Sequence, residues 1–163
     1  MKKKLQSVLM GFGLLGVIAV VPSITQAQGQ SLANRITANI PFDFNVADKK
    51  LPSGKYSVGR ARQNSDDSVL SIVDQNHHSK AIRLSVPVQT LRPKENPTLV
   101  FHVYGDQYFL FQVWVGGEAT GRQFPKSRSE RQIQQSVAAN SSMKKTVNNL
   151  AAVETVIITG VLQ

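Results

Sequence analysis

The three histidines are the residues of this chain best suited to metal or acid–base chemistry. His77 and His78 are adjacent in a polar turn near Asp74, whereas His102 lies in an aromatic segment. Imidazole and carboxylate groups bind borderline cations, but neighbouring side chains of an extended chain point in opposite directions. We therefore interpret His77 and His78 as solvated turn residues and expect neither a metal site nor a cofactor.

His102, Asp106 and a serine are the combination that comes nearest to a catalytic triad. No serine lies in a Gly-x-Ser-x-Gly motif, and Asp106 falls at a predicted hairpin tip, where aspartate commonly serves the turn. The chain has no cysteine, which excludes a thiolate nucleophile and sulfur-ligated zinc. We expect no enzymatic activity.

An amphipathic aromatic strip is the strongest candidate for a binding site. Flat rings beside hydrogen-bonding groups suit sugar or peptide ligands, and aromatic residues are enriched at binding surfaces. The alternative is that the fold buries these rings in a second core. The strip consists of His102, Tyr104, Tyr108, Gln112 and Trp114.

Arg122, Lys126, Arg128 and Arg131 form a second candidate site, a polyanion patch. The alternative is the solvated side of a short helix. Export would remove Lys2 to Lys4 and leave 16 basic against 10 acidic residues, a net charge of +6. Outside the cytoplasm the partners for such a charge are lipopolysaccharide, acidic polysaccharide and phospholipid head groups; we expect no nucleic acid.

The strip would be positioned by a hairpin over Leu99–Val115 that turns at residues 105–106. A two-residue turn would pair Val103 with Tyr108 and mix apolar and polar residues on both faces. A three-residue turn pairs Tyr104 with Tyr108 and segregates them, so it is the register we predict. The apolar face then holds Leu99, Phe101, Val103, Phe109, Phe111 and Val113.

Further strands are indicated along the rest of the chain, two of them by period-2 alternation. Ile36–Val46 alternates over eleven residues, with Pro41 favouring an edge position or a bend. Tyr56–Ala61 and Val69–Asp74 are short strands, and the segment 82–88 alternates again. We predict Phe42 and Phe111 as core residues.

The C-terminal third begins where glycines 116, 117 and 121 end the strand region. Ser127 and Glu130 have the spacing of a capping box, which predicts a helix over Arg128–Ala139. A polar link follows over 140–149, and Val153–Leu162 is a final strand. The fold class is therefore all-β, a single small β-sandwich or barrel of about seven strands with one short C-terminal helix and a final strand.

The N-terminal 27 residues have the layout of a cleaved secretory signal. A cationic start is followed by an apolar run over Leu5–Val21, then by Pro22 and a small-residue exit at Ala27. The run is also near the lower limit of a membrane span, so an uncleaved anchor is the alternative. We predict cleavage after Ala27, no stable span afterwards, and a periplasmic or extracellular protein. The parts are a signal at 1–27, a lead-in at 28–33, a β-domain at 34–118, a loop and short helix at 119–140, and a linker and strand at 141–163.

Four motifs resemble those of a family of small uncharacterised exported β-rich proteins of soil bacteria. They are residues 40–44 (IPFDF), 51–56 (LPSGKY), 99–106 (LVFHVYGD) and 125–131 (PKSRSER). The resemblance implies a β-rich exported domain and brings no catalytic residues. We predict a non-catalytic exported domain that binds a cell-envelope component, either a glycan or an envelope protein. The alternative is a structural or assembly subunit that pairs through an edge strand or the C-terminal strand.

Overall fold

In the part of the chain that the structure describes, two β-sheets face each other across an apolar core, and one helix covers the outside of one of them. The computed structural model describes residues 35–62, 66–143 and 153–163, without the helix side chains after residue 139. The predicted all-β class with one helix is confirmed. The predicted signal, the lead-in and most of the polar link lie outside the described residues.

The strands are short, as the sequence indicates, but more numerous than predicted. In chain order they are β1 (Ile36–Ile40), β2 (Phe44–Val46), β3 (Lys49–Leu51), β4 (Gly54–Arg60), β5 (Val69–Asp74), β6 (Ser79–Leu84), β7 (Val86–Gln89), β8 (Thr98–Tyr104), β9 (Gln107–Trp114), β10 (Thr120–Gln123), β11 (Glu154–Thr159) and β12 (Val161–Leu162). Helix α1 (Arg128–Met143) lies between β10 and β11 in the chain.

The chain crosses between the sheets at short bends, so that the sheets meet at corners. Sheet A has the order β12-β1-β4-β5-β6, and sheet B has the order β11-β8-β9-β10-β7. β2 joins sheet B by pairing in parallel with β9, and β3 pairs with β2. Within the described residues these bends lie at 41–43, at 52–53, at Ser85 and at Gly160. Strands that switch sheets at such bends are typical of corner-joined sandwiches.

The predicted strand over 36–46 is two strands in different sheets. Pro41 has no N–H for a ladder, and the chain leaves sheet A there and enters sheet B at Phe44. The alternation nevertheless marks the buried apolar residues correctly, because both strands turn the same residue set towards the shared core, although Thr37 of the other set is buried as well. Ile36, Ile40 and Phe44 are buried, and Phe42 is half-buried against the core.

The β8–β9 hairpin has a two-residue turn, so the predicted three-residue register is wrong. Val103 pairs with Tyr108, and Tyr104 pairs with Gln107. Gly105 occupies the first central position with φ of 60°. Glycine adopts this conformation without a steric penalty, and the two-residue hairpin turn of type II′ requires it.

A β-bulge in β9 explains how the shorter turn still gives an apolar inner face. Val100 pairs with Gln112 whereas the next residue, Phe101, pairs with Leu110, so Phe111 is the extra residue. The bulge shifts the alternation of β9 by one position, which places Phe111 on the outer face rather than in the predicted core. The inner face carries Leu99, Phe101, Tyr108, Leu110 and Val113.

Two predicted loop segments contain strands. β3 lies between the predicted strands over 36–46 and 56–61, and β10 lies in the segment where glycines were expected to end the strand region. Helix α1 begins at the predicted residue, Arg128, and continues to Met143. No helix in the described part of the chain is long and apolar enough to cross a membrane.

Candidate functional site

The outer face of the β8–β9 hairpin holds four of the five residues of the predicted aromatic strip. His102, Tyr104 and Trp114 are buried there, and Gln112 is half-buried. Tyr108 lies on the opposite, core-facing side, where its ring stacks on Phe42 with centroids 3.9 Å apart. The prediction that these five residues share one exposed surface is therefore wrong. The bulge turns Tyr108 to the other face, and the remaining residues form the second buried layer that was the alternative.

A buried acid–imidazole–phenol cluster fixes helix α1 to this face. Nδ1 of His102 and Oε1 of Glu130 are 2.7 Å apart, and the Tyr104 hydroxyl donates to the same oxygen at 3.3 Å. Phe111 stacks on the imidazole with centroids 3.7 Å apart. The cluster is closed off from substrates by its burial, and its geometry is that of a link between helix and sheet.

Glu130 is the member of this cluster that the sequence did not reveal. Its backbone N–H donates to Ser127 Oγ at 3.1 Å, so the first half of the predicted capping box is confirmed. Its carboxylate, however, reaches across to His102 and Tyr104. The available signal was a histidine and a tyrosine two residues apart on one strand face, which can share a buried acceptor.

The Tyr104 hydroxyl is strongly perturbed by this environment. Burial, followed by the charge of Glu130 and the hydrogen bond to it, raises the pKa of Tyr104 to about 12. Each cause disfavours the phenolate. Tyr104 is therefore a neutral donor at physiological pH, and it is already committed to Glu130.

Trp114 is held in the outer layer by a chain of amide groups. Its Nε1–H donates to Gln112 Oε1 at 3.0 Å, and Gln112 Nε2 donates to Gln123 Oε1 at 2.9 Å. The ring lies against Gly121, where an added Cβ would sit only 2.5 Å from Cε3 of Trp114. These contacts satisfy the polar ends of the strip internally, leaving 4% of Trp114 exposed.

The four residues of the predicted polyanion patch also lie in different parts of the structure. Nε of Arg122 donates to Ser85 Oγ at 3.1 Å, at the bend between β6 and β7. Lys126 donates to Gln134 at 2.9 Å, and Arg131 and Arg128 are exposed at the start of helix α1. Arg122 is thus a structural residue of the β6–β7 corner, while the other three lie around the helix N-terminus.

The turn histidines surround Asp74 without forming a metal site. The carboxylate Oδ1 of Asp74 accepts the backbone N–H groups of Asn76 and His78, at 3.0 and 2.8 Å. His77 adopts φ of 61° in this turn. Among the described residues there is no group of three or more His, Cys, Asp or Glu side chains that could hold a metal ion.

A cavity of about 250 Å³ lies between helix α1 and the ends of β8 and β11. Tyr104, Gln134, Val137 and Glu154 are among its lining residues. It is smaller than the usual cleft for an organic ligand, about 300–1,000 Å³. Two of its polar lining residues already have partners, because the Tyr104 hydroxyl donates to Glu130 and Gln134 accepts from Lys126.

An exposed apolar row lies on β6 and β7, outside both the core and the helix contact. Alternation usually buries the apolar set of a strand, yet Ile82, Leu84 and Val86 are 60%, 66% and 48% exposed. Ile82 and Leu84 pair with Ser71 and Val69 of β5, on the face of sheet A that points away from the core. We call these three residues the β6–β7 patch.

The patch lies along a sheet edge. β6 pairs with β5 on one side, and within the described residues no strand pairs with its other side. Lys49 Nζ donates to the Lys80 carbonyl at 2.7 Å, which satisfies one acceptor at the start of β6. The remaining edge presents backbone groups beside apolar side chains, which is the arrangement that accepts an added strand.

Comparisons with known proteins assign neither a family nor a structural relative. A scan against protein-family models, a search of curated proteins and a search of solved structures each find no match for this chain.

Proposed function

We propose that this protein is an exported, non-catalytic β-domain that binds another polypeptide of the cell envelope by accepting its strand at the free edge of β6. The observation that carries the proposal is the β6–β7 patch, in which alternate apolar side chains of an edge strand are about half exposed or more. Export is part of the proposal and rests on the signal-like N-terminal sequence.

Strand addition is favoured because natural proteins usually protect such edges. Charged residues, proline and bulges commonly blunt an edge against unwanted pairing. β7 is protected in this way by Pro87, and the start of β6 is protected by Lys49. Ile82 and Leu84 lie between these two protected points, where an added strand would place its own side chains beside them.

A polypeptide partner is favoured over a glycan by the position of the aromatic rings. Sugar binding was motivated by an exposed aromatic strip, and Tyr104 and Trp114 are instead buried with their polar atoms bonded internally. The exposed surface that remains is aliphatic, and aliphatic side chains beside free backbone groups match an extended peptide.

Site-specific photo-crosslinking in a host that exports the protein tests this proposal. A photoreactive amino acid in place of Ile82 is expected to give a discrete adduct with a polypeptide. The same amino acid in place of Ile157 is the matched control, because Ile157 is 55% exposed on another edge strand, β11. Equal adducts at both positions, or none at position 82 above background, would contradict the proposal.

A further inference from the structure

Resting on that proposed function, we infer that the partner strand alternates apolar and acidic residues and places an acidic side chain opposite Arg83. The apolar residues would lie beside Ile82 and Leu84 on the outer face of sheet A. The acidic residue would lie on the other face. The charges of β6 and its surroundings carry this inference.

The segment that contains β6 carries basic residues and no acidic residue. From residue 79 to residue 94 there are four basic residues, Lys80, Arg83, Arg92 and Lys94, and no acidic residue. Lys80 is already paired, since its Nζ lies 2.9 Å from Asp74 Oδ2. Arg83 is therefore the cation on β6 that an added strand would meet.

Arg83 is held in a half-buried position with unused hydrogen-bonding capacity. It pairs across the ladder with Leu70, a core residue, so its side chain lies on the core-facing side of β6. Its Nε is buried and has no hydrogen-bond partner within the described residues. No carboxylate in the described part of the chain forms a salt bridge with it either.

Asp48 is a carboxylate whose charge interacts with Arg83, but its hydrogen bonds lie elsewhere. Asp48 Oδ1 accepts the backbone N–H of Ser129 at 3.1 Å, at the start of helix α1. Hydrogen bonds from Ser129 are the main cause that lowers the pKa of Asp48, and the charge of Arg83 is the last. Asp48 is thus bonded to the start of helix α1 and acts on Arg83 by its charge alone. The hydrogen-bonding groups of Arg83 are left for an acidic residue supplied from outside.

A second copy of this chain is a poorer occupant of the same edge. Full-length antiparallel pairing of β6 with itself would place Lys80 opposite Arg83 of the other copy, and pairing centred on Arg83 would oppose the two arginines. Like charges directly opposite each other destabilise a strand pair. The net charge, +9 over the whole chain and +6 after the predicted cleavage, also opposes self-association.

Short labelled peptides that bind to the protein test the inference. The protein is the full chain, expressed with its own N-terminal segment. The probe is a nine-residue peptide of alternating Val and Glu, and the matched peptides are alternating Val and Lys and a block arrangement of the Val–Glu composition. Binding is measured by fluorescence anisotropy at low salt and located by amide chemical shifts. We expect the Val–Glu peptide to bind at least about tenfold more tightly than either control peptide.

Variants of β6 separate the charge inference from the proposed function. Ile82→Thr with Leu84→Thr is expected to weaken Val–Glu binding about tenfold, whereas Ile157→Thr is the control and leaves it unchanged. Arg83→Glu is expected to reverse the preference to the Val–Lys peptide. Melting curves check whether each variant retains the fold. If Arg83→Glu does not fold, Arg83→Gln replaces it, and this variant is expected to remove the preference for the Val–Glu peptide without reversing it.

Each outcome has a distinct meaning. Binding that is lost in the double threonine variant but indifferent to peptide charge overturns the acidic-partner inference and leaves strand addition standing. Concentration-dependent dimerisation that the same variant abolishes identifies a second copy as the occupant, with the same consequence. Val–Glu binding that survives the double substitution, or no binding by any peptide, overturns both.

Discussion

Glu130→Ala removes the oxygen that accepts hydrogen bonds from both His102 and Tyr104. The three side chains lie beneath helix α1, and His102 and Glu130 are 6% and 5% exposed. Water therefore cannot replace the lost acceptor without opening the helix–sheet contact. Each buried donor left unsatisfied costs about 1–3 kcal/mol, and breaking a buried pair by removing one partner costs about 3–5 kcal/mol.

We expect Glu130→Ala to lower the free energy of unfolding by about 3–5 kcal/mol, a large share of the roughly 5–15 kcal/mol that stabilises a domain. Glu130→Gln keeps a carbonyl oxygen that can accept one of the two bonds, so its loss should be smaller, about 1–3 kcal/mol. Gln132→Ala, exposed on the same helix, is the control and should change stability by less than about 0.5 kcal/mol.

Urea unfolding followed by circular dichroism and by Trp114 fluorescence measures these differences, because Trp114 is the only tryptophan of the chain. A double-mutant cycle with Tyr104→Phe then isolates the contribution of the phenol to the cluster. A Glu130→Ala protein within about 0.5 kcal/mol of wild type would refute the assignment of Glu130 as the link between helix and sheet.

Three further predictions concern other parts of the molecule. The pKa of Tyr104 is about 12 in the fold and about 10 in an unfolded chain, so its contribution of about 2–3 kcal/mol to the free energy of unfolding is present below pH 10 and lost as the pH rises to 12. In urea titrations, Tyr104→Phe should therefore lose less of its free energy of unfolding over that pH range than the wild type. The same pH dependence in both proteins would contradict this prediction. Gly121→Ala should destabilise the domain by about 1–3 kcal/mol and shift Trp114 emission, since the new Cβ would sit 2.5 Å from the indole ring; an unaltered melting curve would show that the ring can move away. Mass spectrometry of protein from the exporting host should find an N-terminus at Gln28, whereas an intact Met1 on membrane-embedded protein would favour the uncleaved anchor.

Local signals in the sequence predicted local structure well. The bounds of β5 follow from a short run between two polar, turn-rich segments, and the first residue of helix α1 follows from a capping box. Both signals act within a few residues. The buried set of 36–46 also followed from alternation, although Pro41 divides it between two sheets.

The candidate site was harder to predict because it depends on contacts between distant segments. Alternation shows which side chains of β6 share a face, but not that this face points away from the core. The bulge at Phe111 changes which residues of β9 face inward, and both hairpin registers satisfy the same turn sequence. The capping box accounted for Glu130 locally, which concealed its reach to His102 across 28 residues of chain.

Amide hydrogen exchange on β6, with and without the alternating Val–Glu peptide, tests the central claim most directly. If β6 accepts a strand, backbone N–H groups within 81–84 should exchange more slowly when the peptide is bound, because they gain partners along the free edge. Amides within 155–159 of β11 should be unchanged. Unaltered exchange at 81–84 under conditions where the peptide is bound would show that β6 is not the docking edge.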